Sequence, residues 1–155
     1  MEIMVKKFCK KYKLPEKSLF DILSHMEEVS FSKGELIIKK GERNSNFYLI
    51  RKGIWRAYYL ADGTENSLWF VGPGEVAFSS WGYVDGEPSQ INIESVNGST
   101  AYCISKAELE NLFSHSIEMA NFGRKIFERE ILSVDSSTLA YGAPPTAKER
   151  YLTLM

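Results

Sequence analysis

Short apolar runs with a period of two fill the middle of the chain, and turn residues separate them. The alternating apolar residues are Val29, Phe31, Leu36, Ile38, Phe47, Leu49, Trp55, Ala57, Tyr59, Leu68, Phe70, Ile91, Ile93, Ala101 and Ile104. One break, Asp62-Gly63, is typical of a hairpin turn, because both residues of such a turn need a positive φ. Many short antiparallel strands at regular spacing predict a jelly roll or a closed barrel.

Helical spacing replaces this pattern on both sides of the strands. Residues 2–13 form a lysine-rich helical pattern, and Pro15 opens a second one that reaches Glu28. After the last strand, Ser105 and Glu108 stand at the spacing of a capping box, in which each side chain satisfies a free backbone N–H. The sequence therefore predicts a mainly β jelly roll with flanking helices.

A longer helix is predicted over residues 116–141, and its apolar positions recur at the 3-4 spacing of a two-stranded coiled coil. The seam consists of Ile117, Ala120, Arg124, Phe127, Ile131, Val134, Thr138 and Tyr141. A second stripe, suited to packing on the roll, consists of Met119, Phe122, Ile126 and Leu132. We expect a homodimer, and the predicted interface residues are Ala120, Phe127, Ile131 and Val134. The alternative is an amphipathic helix that lies wholly on its own domain.

Composition narrows the class of protein. The chain has 155 residues, of which 44% are hydrophobic and 13% aromatic, so it can bury a sizeable core. With 19 basic and 20 acidic side chains it has no overall field that would draw it to nucleic acid or membrane. It shows no apolar stretch of membrane-spanning length and no secretion signal, and two cysteines make no disulfide framework. We therefore expect a protein of the reducing cytoplasm.

The glycine-rich segment at residues 72–90 interrupts the strand pattern. Gly72 and Gly74 allow backbone conformations that could bring N–H groups close to an anion, such as a phosphate. Glu75 beside them could accept hydrogen bonds from a sugar or another polyol. The alternative is an ordinary loop that joins two strands.

Three segments carry a family resemblance: residues 37–53, Gly74-Glu75-Val76 and residues 147–152. Together they resemble the cyclic nucleotide-binding domain of Crp/Fnr-type bacterial transcription regulators. Residues 37–53 resemble its first signature, although Asn44 stands where the family has a small residue. Gly74-Glu75-Val76 matches the Gly-Glu-aliphatic start of its phosphate-binding cassette. Residues 147–152 look like the segment that leads to the family's helix-turn-helix domain.

This resemblance implies a domain organisation and a set of ligand-binding residues. A jelly-roll domain with N-terminal helices would occupy residues 1–115 and a dimerisation helix residues 116–142. Residues 143–155 would be a hinge and the start of a further DNA-binding domain, so we expect no DNA binding by this chain alone. The implied ligand-binding residues are Gly74, Glu75, Val76, Ala77, Ser89, Gln90, Ser136 and Ser137.

One cassette position departs from the members of the family that bind cAMP. Their cassette ends in an arginine, followed by Ser or Thr, and the arginine pairs with the cyclic phosphate. Here Pro88 stands in its place, before Ser89 and Gln90. Neither proline nor glutamine supplies a charged, bidentate grip, so we expect weak cAMP binding or none. The effector would then be an unknown small molecule.

Other functions have less support in the sequence. An iron–sulfur sensor would need four cysteines, and His25 and His115 are the only histidines available to a haem. We therefore predict no metal and no cofactor. A cupin-like jelly-roll enzyme would need clustered His and carboxylate ligands, so we expect a protein that is not an enzyme. A degenerate domain that serves only as an interaction module is the remaining alternative.

Overall fold

The computed structural model describes residues 1–137. Two helices come first, α1 (Glu2–Tyr12) and α2 (Glu16–Leu23). The sequence prediction extended the second helix to Glu28, and this is wrong. Residues 27 and 28 already belong to a strand that pairs with Cys103 and Tyr102, and this pairing engages their backbone groups.

Eight strands follow within the described residues: β1 (Glu27–Phe31), β2 (Leu36–Ile38), β3 (Phe47–Lys52), β4 (Trp55–Ala61), β5 (Thr64–Val71), β6 (Val76–Ala77), β7 (Asn92–Ser95) and β8 (Ser99–Ile104). They form two four-stranded antiparallel sheets, in the orders β1-β8-β3-β6 and β2-β7-β4-β5. The predicted jelly roll is confirmed. The hairpin between β4 and β5 turns at Asp62 and Gly63, whose φ values of 53° and 74° fit the predicted turn.

Three further helices complete the described chain: α3 (Ser80–Asp85), α4 (Lys106–His115) and α5 (Ile117–Ser137). The sequence analysis predicted no helix in the α3 segment. Its helix signals are the end residues: the Ser79 side chain accepts a hydrogen bond from the Gly82 N–H, and Gly86 ends the helix with a φ of 67°. At α4, Ser105 accepts from the Glu108 N–H at 3.2 Å, as one half of the predicted capping box requires.

The inside of the roll is filled with side chains. Trp55, Ile38, Ile50 and Ile93 are fully buried there. The indole Nε1 of Trp55 donates to the hydroxyl of Ser99 at 2.8 Å, so its polar edge is satisfied in the core. A second core lies between the roll and the helices α1, α2, α4 and α5.

The helix α5 presents its second apolar stripe to this second core. Met119, Phe122 and Ile126 are buried, whereas Leu132, which we also expected to pack on the roll, is 56% exposed. Among the seam residues, Ile131 and Val134 are 67% and 53% exposed, as an interface position requires. Dimerisation itself stays a prediction.

Phe127, a residue of the predicted seam, packs on aromatic rings of its own domain. Its ring lies 5.4 Å from that of Tyr83 and 5.6 Å from that of Phe78, and it also contacts Phe47. The side chain is therefore half-buried in an aromatic cluster of its own domain. Aromatic rings at these distances and angles stabilise one another beyond the area that they bury.

Gly82 tests the packing of α3 against the loop at Asn44. A Cβ atom at this position would overlap the backbone carbonyl of Asn44. We expect Gly82→Ala to lower the free energy of unfolding by about 1–3 kcal/mol, as overpacked sites do, measured by urea denaturation. Gly98→Ala is the control, because a Cβ there meets open space. Equal stability of the two variants would contradict the packing of α3 on the loop at Asn44.

Candidate ligand-binding site

The cassette turn is held by the N-terminal helix. Gly74 has a φ of +84°, and a Cβ on it would lie 2.7 Å from the backbone nitrogen of Phe8 in α1. Glycine is therefore required both by the backbone conformation and by the close approach of a helix. The N–H of Gly74 donates to the backbone carbonyl of Ile50 at 2.9 Å, and the N–H of Glu75 donates to the backbone carbonyl of Gly72 at 3.0 Å.

These hydrogen bonds correct one sequence expectation. We expected the N–H groups near Gly72 and Gly74 to face an anion. Instead the N–H of Gly72 donates to Oε1 of Glu75 at 3.2 Å, and the next N–H groups bond to the backbone. The turn therefore satisfies its own donors and does not present them to a ligand.

An ionic network surrounds Glu75. The Nζ of Lys11 lies 2.7 Å from Oε2 of Glu75 and 3.8 Å from Oε1 of Glu130 on α5. The hydroxyl of Tyr12 donates to Glu130 at 2.7 Å and accepts from the Val76 N–H at 3.1 Å. Side chains of α1 thus connect the cassette to the long helix.

Burial shifts the proton affinities in this network. It raises the pKa of Glu130 above its ordinary value of 4.5, while Lys11 and the Tyr12 hydroxyl oppose the shift. Burial and the neighbouring Glu130 raise the pKa of Tyr12 as well, so this phenol stays protonated and keeps donating.

A cavity of about 620 Å³ opens beside the network, between β5, β6 and α5. Its walls are mostly aromatic and aliphatic. The lining residues are Lys11, Trp69, Phe70, Val71, Glu75, Val76, Ala77, Phe78, Ser80, Phe127, Arg129, Glu130, Ile131, Leu132, Ser133, Val134 and Ser136. Its volume lies in the range of small-molecule sites.

The structure brings some of the predicted ligand-binding residues to this cavity and leaves others away from it. Glu75, Val76, Ala77 and Ser136 line it. Gly74 instead lies buried under α1. The side chain of Ser137, like Thr138 and Tyr141 of the predicted seam, lies outside the described residues.

Ser89 and Gln90 do not reach the cavity either. The Ser89 hydroxyl donates to the carbonyl of Ile91 at 2.8 Å and accepts from the Ile91 N–H at 3.2 Å, so it stabilises its own turn. Gln90 is exposed. Pro88, which replaces the family arginine, is half-buried beside them.

Sequence reasoning missed Lys11, Arg129 and Ser133 as wall residues. Lys11 is one of several lysines in the helical pattern at residues 2–13, and nothing in that pattern distinguishes it from the others. Only contacts between distant parts of the chain place it against Glu75, which is 64 positions away. Nothing in the local spacing of Arg129 or Ser133 points to a cavity.

Within the described residues, no cluster of three or more His, Cys, Asp or Glu side chains is arranged to hold a metal ion. The same part of the chain contains no helix that is long and apolar enough to cross a membrane.

The profile of the cyclic nucleotide-binding domain matches residues 28–116, which is more than half of the chain. The chain belongs to this family. The matched residues include the roll except for Glu27, the first residue of β1, and all of α4. The cavity lies where the roll meets the helix that follows. No curated protein matches the chain in sequence.

Solved structures share the fold at low sequence identity. A cyclic nucleotide-binding domain from Methylobacillus flagellatus has a TM-score of 0.73 and 12% identity, over 86% of this chain and 80% of its own. The catabolite activator protein of Thermus thermophilus has a TM-score of 0.66 and 20% identity, over 79% of this chain and 57% of its own. The regulator CLP of Xanthomonas campestris has a TM-score of 0.70 and 14% identity, over 81% of this chain and 60% of its own. The chain thus spans less than two thirds of the two regulators.

The buried Glu130 predicts a pH dependence of stability. Since its pKa is raised in the folded protein, the folded state keeps this proton to a higher pH than the unfolded state does. The contribution of Glu130 to the free energy of unfolding therefore falls as the pH rises from its ordinary pKa of 4.5 through the raised value. Lys11, Tyr12 and Glu75 are the polar groups that face it.

Glu130→Gln should remove this pH-dependent contribution to stability, because glutamine does not titrate. We expect wild type to lose stability relative to Glu130→Gln as the pH rises across that interval, measured by urea unfolding at successive pH values. Glu128→Gln is the control, because Glu128 is exposed on the same helix and pairs with Arg124. A difference between wild type and Glu130→Gln that is independent of pH would contradict the assignment.

Proposed function

We propose that the chain is the effector-sensing and dimerisation domain of a Crp/Fnr-type transcription regulator. One observation carries the proposal: the end of α5 is both a wall of the cavity and an exposed apolar face. Ile131 and Val134 line the cavity, although they are 67% and 53% exposed. A ligand in the cavity and a second copy of the helix would therefore contact the same turns.

This arrangement suits a switch. A ligand that prefers one placement of residues 131–136 shifts the equilibrium between two arrangements of the paired helices. A DNA-binding domain attached after α5 would change its orientation with the helices. Two regulators share this fold: the Thermus catabolite activator protein and the CLP protein, which is described as responsive to c-di-GMP. Their likeness supports the proposal of a ligand-responsive regulator. Such a regulator would act in the cytoplasm.

A second candidate is an interaction module that has lost its ligand. The closed state of the cassette favours it, because the N–H groups of Gly72 and Gly74 bond within the protein and Lys11 pairs with Glu75. The presence of the cavity outside the roll argues for the sensor instead.

The first test concerns the dimer. We expect wild type to sediment as a dimer at micromolar concentration and Ile131→Asp to sediment as a monomer, because the variant buries an unpaired charge at the helix seam. Leu132→Asp is the control, since it adds the same charge on the same turn but outside the 3-4 seam. Monomeric wild type, or equal effects of the two variants, would contradict the proposed interface.

The second test concerns the missing arginine. We expect calorimetric titration to show no micromolar binding of cAMP or cGMP to wild type. Loss of one charge-assisted contact costs about 2–3 kcal/mol, or roughly 30- to 150-fold in affinity. Pro88→Arg should tighten the binding of cAMP, whereas Glu87→Arg, which places an arginine at an exposed neighbour and makes a larger positive change in charge by also removing a carboxylate, should not. Micromolar binding by wild type would show that the cassette does not depend on the arginine.

A further inference from the structure

The cavity beside α5 has the lining of a site for an apolar ligand. Trp69, Phe70, Phe78 and Phe127 contribute rings, and aliphatic side chains from β5, β6 and α5 complete the walls. The rings of Phe78 and Phe127 lie 5.6 Å apart, nearly edge to face, which gives this wall a defined shape. A ligand that fills such a space gains mainly from removing apolar surface from water.

The acidic groups of the cavity are already partnered. Oε2 of Glu75 accepts from Lys11 and Oε1 from the Gly72 N–H. Oε1 of Glu130 accepts from Tyr12, and Lys11 lies close to it. The carboxylate that would meet a ribose in a nucleotide site is therefore engaged within the protein. A sugar placed here would have to break an ion pair before Glu75 could bind its hydroxyls.

Arg129 differs from these groups. Arg129 is one of the residues that line the cavity and is half-buried, and no hydrogen bond or ion pair joins its side chain to another residue in the described part of the chain. Arg124 on the same helix instead pairs with Glu128 at 2.8 Å and does not line the cavity. The cavity thus offers one uncommitted guanidinium, a group that matches a carboxylate in bidentate geometry.

We infer that the cavity binds a hydrophobic monocarboxylate, with the apolar body among the rings and the carboxylate on Arg129. The inference rests on the proposed function, because it names the chemical class of that sensor's effector. A ligand with two negative charges fits less well, since Lys11 is committed to Glu75 and Glu130 and would leave the second charge unpaired.

Three naphthalene probes of similar shape test the role of charge. 2-Naphthoate, 2-naphthalenemethanol and 2-naphthylmethylammonium are titrated calorimetrically into the complete 155-residue chain. We expect the carboxylate to bind about tenfold or more tightly than the alcohol, as a charge-assisted hydrogen bond implies, and the ammonium to bind most weakly. Binding of the alcohol or the ammonium as tightly as the carboxylate would overturn the inference.

Variants locate the contact. Arg129→Gln should remove the advantage of the carboxylate over the alcohol, and the control Arg124→Gln should leave it intact. Ser133→Trp, which fills the cavity from α5, should weaken the binding of both probes while circular dichroism confirms the fold. An equal loss in the two arginine variants, or unchanged binding in Ser133→Trp, would place the ligand elsewhere and overturn the assignment.

Titration of decanoate, compared with that of 2-naphthoate, shows whether the cavity prefers an alkyl or an aromatic body on the acid. The inference stands for whichever acid binds through Arg129 and falls if neither does. Its failure is separable from that of the proposed function, which the sedimentation of Ile131→Asp tests. If the wild-type chain is a dimer but binds neither acid, only the proposed ligand class is contradicted. If it is a monomer that binds one of the acids, the proposed dimeric sensor is contradicted and the proposed binding site stands.

Discussion

The contact of α1 with the cassette turn is the constraint on which the rest of the site depends. Gly74 lets the helix approach to a distance that no side chain would permit, and this approach brings Lys11 to Glu75. The same helix carries Tyr12 to Glu130 and to the backbone of β6. Three segments that are far apart in sequence are thereby held together, and α5 is positioned over the edge of the roll.

This network also determines which charged groups beside the cavity are paired. Partly buried charges are costly unless they are paired, and here one lysine serves two carboxylates. The pairing engages Glu75 within the protein, whereas Arg129, which also lines the cavity, makes no ion pair in the described part of the chain. A family fold can in this way keep its turn and strands while the chemistry beside them changes, since function depends on particular side chains.

Much of the architecture could be predicted from local pattern. Alternation with a period of two, the Asp62-Gly63 turn and the cap at Ser105 depend on neighbouring residues, and each appears as predicted. The end of α2 was misplaced, because strand pairing with β8 overrides helical spacing. The helix α3 was missed because its signals are only an N-cap serine and a terminal glycine around six residues.

The candidate site was predicted only in part, and the reason is physical. The sequence by itself determined the cyclic nucleotide-binding domain, the roll, and the absence of an arginine at position 88, because these follow from residue types and short spacings. Tertiary structure decided that Phe127 joins an aromatic cluster, that Ser89 closes on its own turn, and that Lys11 occupies Glu75. Such contacts join residues across long stretches of chain, and their free energies depend on burial and exact approach, which no local pattern encodes.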